Sequence, residues 1–155
     1  MDNTCLICDR IAMIKEGTNS YFVKELDTGY VVIGDFQFYK GYTLFLCKNH
    51  ASELHELPHD FRKKFLDEMS LVAEAVYKAF HPKKLNYELL GNIERSHCHW
   101  HIFPRYGDDP APTKPIWSID KSIRYAESVK PSKEELERYK ISLKDELDKI
   151  ICMNN

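Results

Sequence analysis

The chain has 155 residues, with 22 basic and 24 acidic side chains and a formal net charge of −2 at pH 7. This length fits one domain with one core, and a charge so close to zero gives no electrostatic case for nucleic-acid binding. No apolar run reaches the length of a membrane span, and the first residues lack the basic flank and apolar core of a secretory signal. The five cysteines are an odd number, so a disulfide framework is not expected and the chain suits a reducing cytoplasm.

The chain begins with a CxxC pair, Cys5 and Cys8, inside a short helical pattern. The pattern ends at Gly17, a typical C-terminal stop, and its apolar residues recur every three to four positions: Ile7, Ile11 and Ile14. A CxxC pair can be a redox pair, half of a zinc site, or two ordinary thiols. Redox pairs normally follow a strand of a βαβ unit. The position of this pair at the start of the chain therefore disfavours the redox interpretation.

Three strands and a long helix are predicted next. Residues 21–26 and 30–33 are rich in aromatic and β-branched side chains, and the break at Asp27-Thr28-Gly29 predicts a hairpin between them. A polar loop then leads to a third strand at residues 43–47. Apolar residues follow at helical spacing from Pro58 to His81-Pro82: Phe61, Phe65, Met69, Val72, Val76 and Phe80. This helix should bury one face against the sheet.

The most informative stretch is His97-Cys98-His99-Trp100-His101, which follows a predicted strand at residues 85–90 and a turn at residues 91–96. Its alternation has the period of a strand, so the three histidines should share one face while the residues between them face the core. Single histidines are often structural, but three at strict spacing two indicate a functional row. Such a row suits metal binding or attack on a phosphate, because neutral imidazole is a nucleophile.

The remaining chain predicts a loop at residues 107–115 and a last helix that opens with a capping box, Ser132 and Glu135. The apolar stripe of this helix could pack on its own domain or on a partner subunit: Leu136, Tyr139, Leu143, Leu147 and Ile150. Trp117 could cap the core or line a pocket. The expected fold class is α+β, an antiparallel sheet with one long helix packed on it and a further C-terminal helix.

The His-x-His-x-His motif resembles that of the histidine triad (HIT) family of nucleotide-binding hydrolases and transferases. Matches in the same order are Gly41-Tyr42-Thr43-Leu44, Lys48-Asn49-His50 and Tyr87-Glu88-Leu89-Leu90-Gly91-Asn92. Pro104-Arg105 and the N-terminal CxxC are similar to bacterial members described as dinucleoside polyphosphate hydrolases. The resemblance implies a HIT-like nucleotide-binding domain over residues 1–110, with residues 111–155 as a C-terminal loop and helix extension of the same domain. It also implies a homodimer.

The reaction implied by the resemblance is attack on the α-phosphate of a nucleotide anhydride or amidate through a nucleotidyl-histidine intermediate. The substrate would be a dinucleoside polyphosphate or a nucleoside phosphoramidate, with a purine nucleotide favoured. His99, the middle histidine, matches the family nucleophile, and His97 and His101 flank it. No organic cofactor is expected, and the sequence has no Walker-type Gly-Lys-Ser/Thr loop.

The resemblance also assigns substrate contacts. Asp35 matches the family aspartate that binds the ribose hydroxyls, although it could equally be a turn residue beside Gly34. Ile33 and Phe36 would contact the base. The remaining candidates concern phosphate: Asn92, Ser96 and His101 as hydrogen-bond donors, and Arg105 as a residue that reaches a distal phosphate or faces solvent.

The CxxC pair has a counterpart in the related galactose-phosphate uridylyltransferases, where such a pair binds a metal together with a distant histidine and the first histidine of the active-site motif. Here the four ligands would be Cys5, Cys8, His50 and His97, a closed Cys₂His₂ shell around a structural zinc. Two other functions remain open. One is a nucleotide-binding sensor or scaffold with incidental catalysis, and the other is a metallohydrolase whose imidazole row holds a catalytic zinc.

Overall fold

A computed structural model of the chain describes residues 5–94 and 96–154. The stretch before Cys5, whose sequence argues against a secretory signal, lies outside the described residues. The helices are α1 (Leu6–Lys15), α2 (His59–Phe80), α3 (Lys121–Arg124) and α4 (Lys133–Asn154). The strands are β1 (Phe22–Glu25), β2 (Gly29–Ile33), β3 (Thr43–Cys47), β4 (Lys84–Leu89) and β5 (His99–Arg105). Among the helices described, none is both long and apolar enough to cross a membrane.

The five strands form one antiparallel sheet in the order β1-β2-β3-β5-β4. The histidine strand β5 is therefore internal, with β3 on one side and β4 on the other. His101 lies opposite Leu44 of β3 and Glu88 of β4. The predicted α+β fold, with an antiparallel sheet, a long helix and a C-terminal helix, is confirmed.

Side-chain alternation divides the sheet into two faces. Ile33, Phe45 and Ile102 are fully buried in the core that the sheet shares with α2 and α4. Their neighbours on the same strands, such as Val32 and Leu46, point to the opposite face and pack with α1. The face that α2 leaves open is the face of His99 and His101, as predicted, and α1 covers part of it.

The C-terminal helix α4 packs on its own chain. Leu143, Leu147 and Ile150 are fully buried in the same core cluster as Phe65 and Val72 of α2. Each such side chain removed from water contributes about 1.5–3 kcal/mol to stability. The helix begins with the predicted capping box: Ser132 donates its backbone N–H to Glu135 at 2.9 Å, and the N–H of Glu135 donates to the Ser132 hydroxyl at 3.1 Å.

The structure differs from the sequence prediction at the start of the histidine strand. Strand β5 begins at His99, two residues later than the alternation suggests. The preceding residue bonds to the end of β3 and to the stretch after it: the N–H of Cys98 donates to the carbonyl of Ala51 at 2.8 Å, and the N–H of Cys47 donates to the carbonyl of Cys98 at 3.2 Å. His97 therefore lies just before the strand that carries His99 and His101.

A buried carboxylate of α2 holds the turn between β1 and β2. Glu68 is only 7% exposed and accepts the backbone N–H groups of Asp27 and Thr28, at 3.0 and 2.9 Å, together with the hydroxyl of Thr28. Replacing Glu68 with Ala should lower the free energy of unfolding by about 2–4 kcal/mol, since the buried donors of Thr28 lose a charged acceptor. Urea denaturation measures this loss.

Glu74→Ala is the matched control on the same helix. Glu74 is exposed and pairs with Lys78 at the surface, so its loss should lower the free energy of unfolding by less than about 1 kcal/mol. Equal losses in the two variants would show that the Glu68 contacts do not stabilise the fold.

Candidate functional site

A cavity of about 310 Å³ opens on the face of the sheet that carries the histidines. Its volume is within the range of small-molecule sites, and its walls combine apolar side chains with a few polar groups. The apolar walls come from α1 and from the strands β2 and β3: Leu6, Ile7, Val32, Leu44 and Leu46. The polar and aromatic residues around them are Arg10, Asp35, Phe36, Tyr42, His99, His101 and Tyr125.

The ring of His99 has a defined tautomer. Its Nδ1 lies 2.6 Å from the carbonyl oxygen of His97. A carbonyl oxygen can only accept a hydrogen bond, so Nδ1 carries the proton and Nε2 keeps its lone pair. Burial lowers the pKa of His99, which keeps the ring neutral. His99 thus places an unprotonated imidazole nitrogen in an apolar cavity, as nucleophilic catalysis requires.

The ring of His101 has a hydroxyl group as its hydrogen-bond partner. Its Nδ1 lies 2.6 Å from the hydroxyl oxygen of Tyr42. Burial raises the pKa of Tyr42, so this hydroxyl keeps its proton, and within the described chain its hydrogen-bond partner is His101. The hydroxyl can donate to Nδ1, and in that arrangement the proton of the neutral ring is on Nε2. Burial, together with the neighbouring His99, lowers the pKa of His101 to about 3.

The two rings are adjacent, with centroids 4.6 Å apart. Together they offer a lone pair on His99 and an N–H donor on His101. A nucleophile and a donor side by side can attack a phosphorus atom and hold one of its oxygens. Tyr42, which the sequence did not single out as a site residue, fixes the donor by its hydrogen bond and by stacking on Phe103 at 4.2 Å.

Asp35 lines the cavity, but its carboxylate is already held by a residue that sequence reasoning missed. Arg10 of α1 donates to Oδ1 of Asp35 at 2.8 Å, and its second nitrogen donates to Oδ2. The side chains are 26% and 28% exposed, so the pair is accessible to a ligand. The sequence feature that could have identified Arg10 as a site residue is its helical spacing from Ile7, which puts both residues on the inner face of α1. Phe36, the residue after Asp35, also lines the cavity.

Ile33 does not line the cavity, contrary to the suggested contact with a base. Its side chain is fully buried on the opposite face of the sheet, in the core shared with α2. Adjacent strand residues point to opposite faces, so Val32 occupies the cavity wall in its place.

Arg105 neither reaches a phosphate nor faces solvent. Only 7% of it is exposed, and its guanidinium anchors the loop that follows β5. It donates to Asp109 at 2.6 Å and to Asn86 at 2.7 Å, and its remaining nitrogen donates to the carbonyls of Ala111 and Lys114 at 2.9 and 3.0 Å. Each nitrogen of the guanidinium is thus engaged within the protein.

Asn92 and Ser96 are not among the residues that line the histidine cavity. They line a second cavity of about 400 Å³, together with Ser52, His97 and Cys98. The hydroxyl of Ser96 donates to the carbonyl of Ser52 at 3.3 Å. Residue 95, between the two candidates, lies outside the described residues. The structure thus brings His99, His101, Asp35 and Phe36 together and places Asn92 and Ser96 elsewhere.

Four predicted metal ligands lie together beside the cavity. One ligand atom from each of Cys5, Cys8, His50 and His97 falls within 4.8 Å of all the others. His97 is 2% exposed, and its Nε2 lies 2.9 Å from the carbonyl of Cys47. Nε2 must therefore donate, which leaves a lone pair on Nδ1, the atom that faces the sulfurs.

Three of the separations between donor atoms are close to those around a tetrahedral ion. Nδ1 of His97 lies 3.4 Å from the sulfur of Cys5 and 3.5 Å from that of Cys8, and Nδ1 of His50 lies 3.2 Å from the sulfur of Cys8. Around a tetrahedral zinc, bonds of about 2.3 Å to sulfur and about 2.1 Å to nitrogen separate the two atoms by about 3.6 Å. The cluster could therefore bind a metal ion.

Two aromatic residues of the C-terminal part complete the site's surroundings. Tyr125 lines the cavity and packs edge-on against Phe36, with centroids 5.1 Å apart. Trp117 neither caps the core nor lines the histidine cavity. It is 47% exposed, and its ring lies 5.2 Å from the guanidinium of Arg124.

Comparisons with known proteins identify the family of this chain. Residues 16–108, more than half of the chain, match the model of the HIT domain. A relative, the protein hit of Bacillus subtilis strain 168, is 34% identical over 73 residues, which are 44% of this chain and 50% of that protein. The match thus spans half the length of this curated relative.

Solved structures share the fold. A hypothetical histidine triad nucleotide-binding protein from Sulfolobus tokodaii has a TM-score of 0.70 at 20% identity, over 92% of this chain and 93% of that one. A zinc-bound histidine triad family protein from Mycobacterium smegmatis has a TM-score of 0.67 at 17% identity, over 97% of both chains. At these identities the structures show the fold alone. With the match to the family model, they establish that this chain belongs to the histidine triad (HIT) family.

Proposed function

We propose that the protein is a nucleotide hydrolase or nucleotidyl transferase that uses His99 to attack the α-phosphate of a nucleotide anhydride or amidate. The observation that carries the proposal is the hydrogen bond from Nδ1 of His99 to the carbonyl of His97. This bond aims a free lone pair on Nε2 at ligands in the cavity. Membership in a family whose members are often nucleotide hydrolases or transferases supports the same chemistry.

The reaction would proceed in two successive displacements at the same phosphorus atom. In the first, Nε2 of His99 forms a bond to the α-phosphorus while the bond to the leaving group breaks and its electrons leave with that group. In the second, water attacks the same phosphorus and releases a proton to solvent, the bond between phosphorus and Nε2 breaks with its electron pair returning to His99, and the nucleoside monophosphate leaves. Nε2–H of His101 donates to a phosphoryl oxygen in both steps, as charge moves across the phosphate.

The apolar part of the cavity would hold the base, with Leu44, Val32 and Phe36 around it. A purine would cover more of these apolar side chains than a pyrimidine would. Asp35 at the cavity rim would accept the ribose hydroxyls and keep one side of its carboxylate on Arg10. The tautomer of His99 favours catalysis over a sensor or scaffold role, because binding alone does not need a free lone pair.

The ion suited to the four-residue cluster is zinc, because two thiolates and two imidazoles form a common structural zinc shell. When bound, zinc would cross-link α1 to the start of the histidine strand. Four protein donors leave no open position for substrate or water, so the ion would be structural. This arrangement disfavours the metallohydrolase alternative. The zinc-bound relative from Mycobacterium smegmatis supports the choice of metal.

Three broader proposals accompany this function. Residues 111–155 are an extension of the HIT domain, because α4 shares its core with α2. The protein is a homodimer, supported by the outer edge of β4 and the exposed apolar residues Leu90 and Ile93 beside it. It works in the cytoplasm, since a reducing compartment keeps the paired thiols of Cys5 and Cys8 available for metal.

The first test is removal of the nucleophile. His99→Ala should reduce kcat/KM by at least about 1,000-fold on both adenosine 5′-phosphoramidate and diadenosine tetraphosphate, because no other group can form the intermediate. Binding of AMP, measured by calorimetry, should survive. His59→Ala, which removes an exposed histidine at the start of α2, is the control and should retain wild-type rates. Unchanged turnover in His99→Ala would contradict the mechanism.

A second test concerns the ribose. Asp35→Ala should weaken AMP binding by about 1–3 kcal/mol, the scale of leaving buried polar groups unpaired. The control is a ligand, 2′,3′-dideoxy-AMP, which has no hydroxyls for Asp35 to accept. It should bind the variant and the wild type with equal affinity. If the variant weakens both ligands equally, Asp35 acts only through its pairing with Arg10.

A third test is metal analysis. Protein purified without added zinc should contain about one zinc per chain, and the Cys5→Ser/Cys8→Ser double variant should lose both the metal and thermal stability. Cys152→Ser, which changes an exposed thiol of α4, should change neither. A wild type without zinc, whose melting temperature equals that of the double variant, would rule out the structural zinc site.

A further inference from the structure

Residues 116–130 form a segment that follows the part of the chain matched by the family model and lies against the histidine cavity. The segment is fixed at several points. The backbone N–H of Gln37 donates to the carbonyl of Val129 at 2.8 Å, and the carboxylate of Asp120 caps α3 by accepting the N–H of Ser122 at 2.8 Å. This segment contributes one cavity wall, Tyr125.

The segment forms an aromatic surface at the cavity. Tyr125 packs edge-on against Phe36 of the core domain, with an interplanar angle of 64°. Tyr125 is nevertheless 47% exposed. A ring that is held at its edge and open to solvent can stack on a planar group of a ligand.

Two cations stand over the same ring. Nζ of Lys121 and the guanidinium of Arg124 lie 5.7 and 5.4 Å from the centroid of Tyr125. Arg124 is also held by Trp117, and its Nε donates to the carbonyl of Ile119 at 2.9 Å. Its two terminal nitrogens make no hydrogen bond to the described residues, so a rigid guanidinium edge is available for an anion.

Among the described residues, neither Lys121 nor Arg124 forms an ion pair within 4 Å, although Asp120 and Glu88 interact with Arg124 at longer range. Lys130, by contrast, is paired with Glu127 at 2.9 Å. Burial raises the pKa of the Glu88 carboxyl. The segment therefore presents net positive charge beside an aromatic ring.

We propose that residues 116–130 form a second subsite that binds the leaving half of a dinucleoside polyphosphate. The proposal rests on the function proposed above and selects the substrate class within it. Arg124 and Lys121 bind the distal phosphates, and the solvent-exposed part of Tyr125 contacts the second nucleoside. When the bond between the α-phosphorus and its bridging oxygen breaks, the leaving oligophosphate takes the electron pair, and these cations neutralise the added negative charge. A phosphoramidate, whose leaving group is an amine, has nothing for this subsite to bind.

The experiment compares two substrates that share the adenylyl group. Arg124→Gln should lower kcat/KM for diadenosine tetraphosphate at least tenfold and leave kcat/KM for adenosine 5′-phosphoramidate within twofold of wild type. Lys121→Gln, which changes an exposed side chain without packing contacts to Trp117, should lower only the first value, by threefold or more. Arg138→Gln, on the exposed face of α4, is the matched control and should change neither.

Binding to the His99→Ala variant separates this subsite from the catalytic proposal. If the variant binds diadenosine tetraphosphate more tightly than AMP, and adding Arg124→Gln removes that advantage, the subsite exists even where no turnover is found. Equal losses on both substrates would make the segment a structural support and overturn the subsite. Unchanged selectivity in both Lys121→Gln and Arg124→Gln would also overturn it. If Arg124→Gln lowers the melting temperature, the result for Lys121→Gln alone tests the subsite.

Discussion

The site depends on how His97 is held. Its ring donates from Nε2 to the carbonyl of Cys47, which turns Nδ1 toward the sulfurs of Cys5 and Cys8. Its backbone carbonyl accepts a hydrogen bond from Nδ1 of His99. One residue thus joins the metal-ligand cluster to the ring that presents the free lone pair. A metal bound at the cluster would fix the carbonyl that orients His99 without itself touching a substrate, as partners of a catalytic group commonly do.

The second constraint is the low polarity of the cavity. Burial lowers the pKa of both His99 and His101, so both rings are neutral. A neutral imidazole has one protonated nitrogen, and the hydrogen bonds in the site determine which nitrogen that is. A carbonyl acceptor gives His99 its lone pair on Nε2, and a hydroxyl donor gives His101 its proton on Nε2. Two chemically identical side chains, two residues apart on one strand, therefore play opposite roles because their second nitrogens have different partners.

Much of this arrangement follows from periodicity in the sequence. Alternation in residues 97–103 predicts which side chains share a face, and helical spacing predicts α2, α4 and the capping box. Periodicity does not reveal which long side chains pair across the fold. Arg105 is charged and follows the histidine motif, yet its partners come from a loop whose path only tertiary packing decides. For the same reason, the sequence does not predict the Arg10–Asp35 pair or the hydrogen bond between Tyr42 and His101.

The positions of Ile33 and of the metal-ligand cluster differ in how far the sequence predicts them. A base contact depends on the phase of a single strand, and a shift of one residue moves a side chain to the opposite face. A metal shell depends on residue types that few other roles require, so Cys5, Cys8, His50 and His97 are identifiable without the geometry.

The shape of the cavity depends on how α1 is attached, because this helix is one of its walls. Leu6 stands between the two cysteines of the metal-ligand cluster, and Leu6, Ile7 and Arg10 all line the cavity. The helix is held at its first turn by that cluster and one turn later by the Arg10–Asp35 pair. A partly exposed ion pair of this kind contributes about 1 kcal/mol to stability. This free energy is too small to hold the helix in position when a ligand binds. A metal at Cys5 and Cys8 would supply the stronger attachment, so a structural ion would contribute to substrate affinity through the position of Leu6 and Ile7.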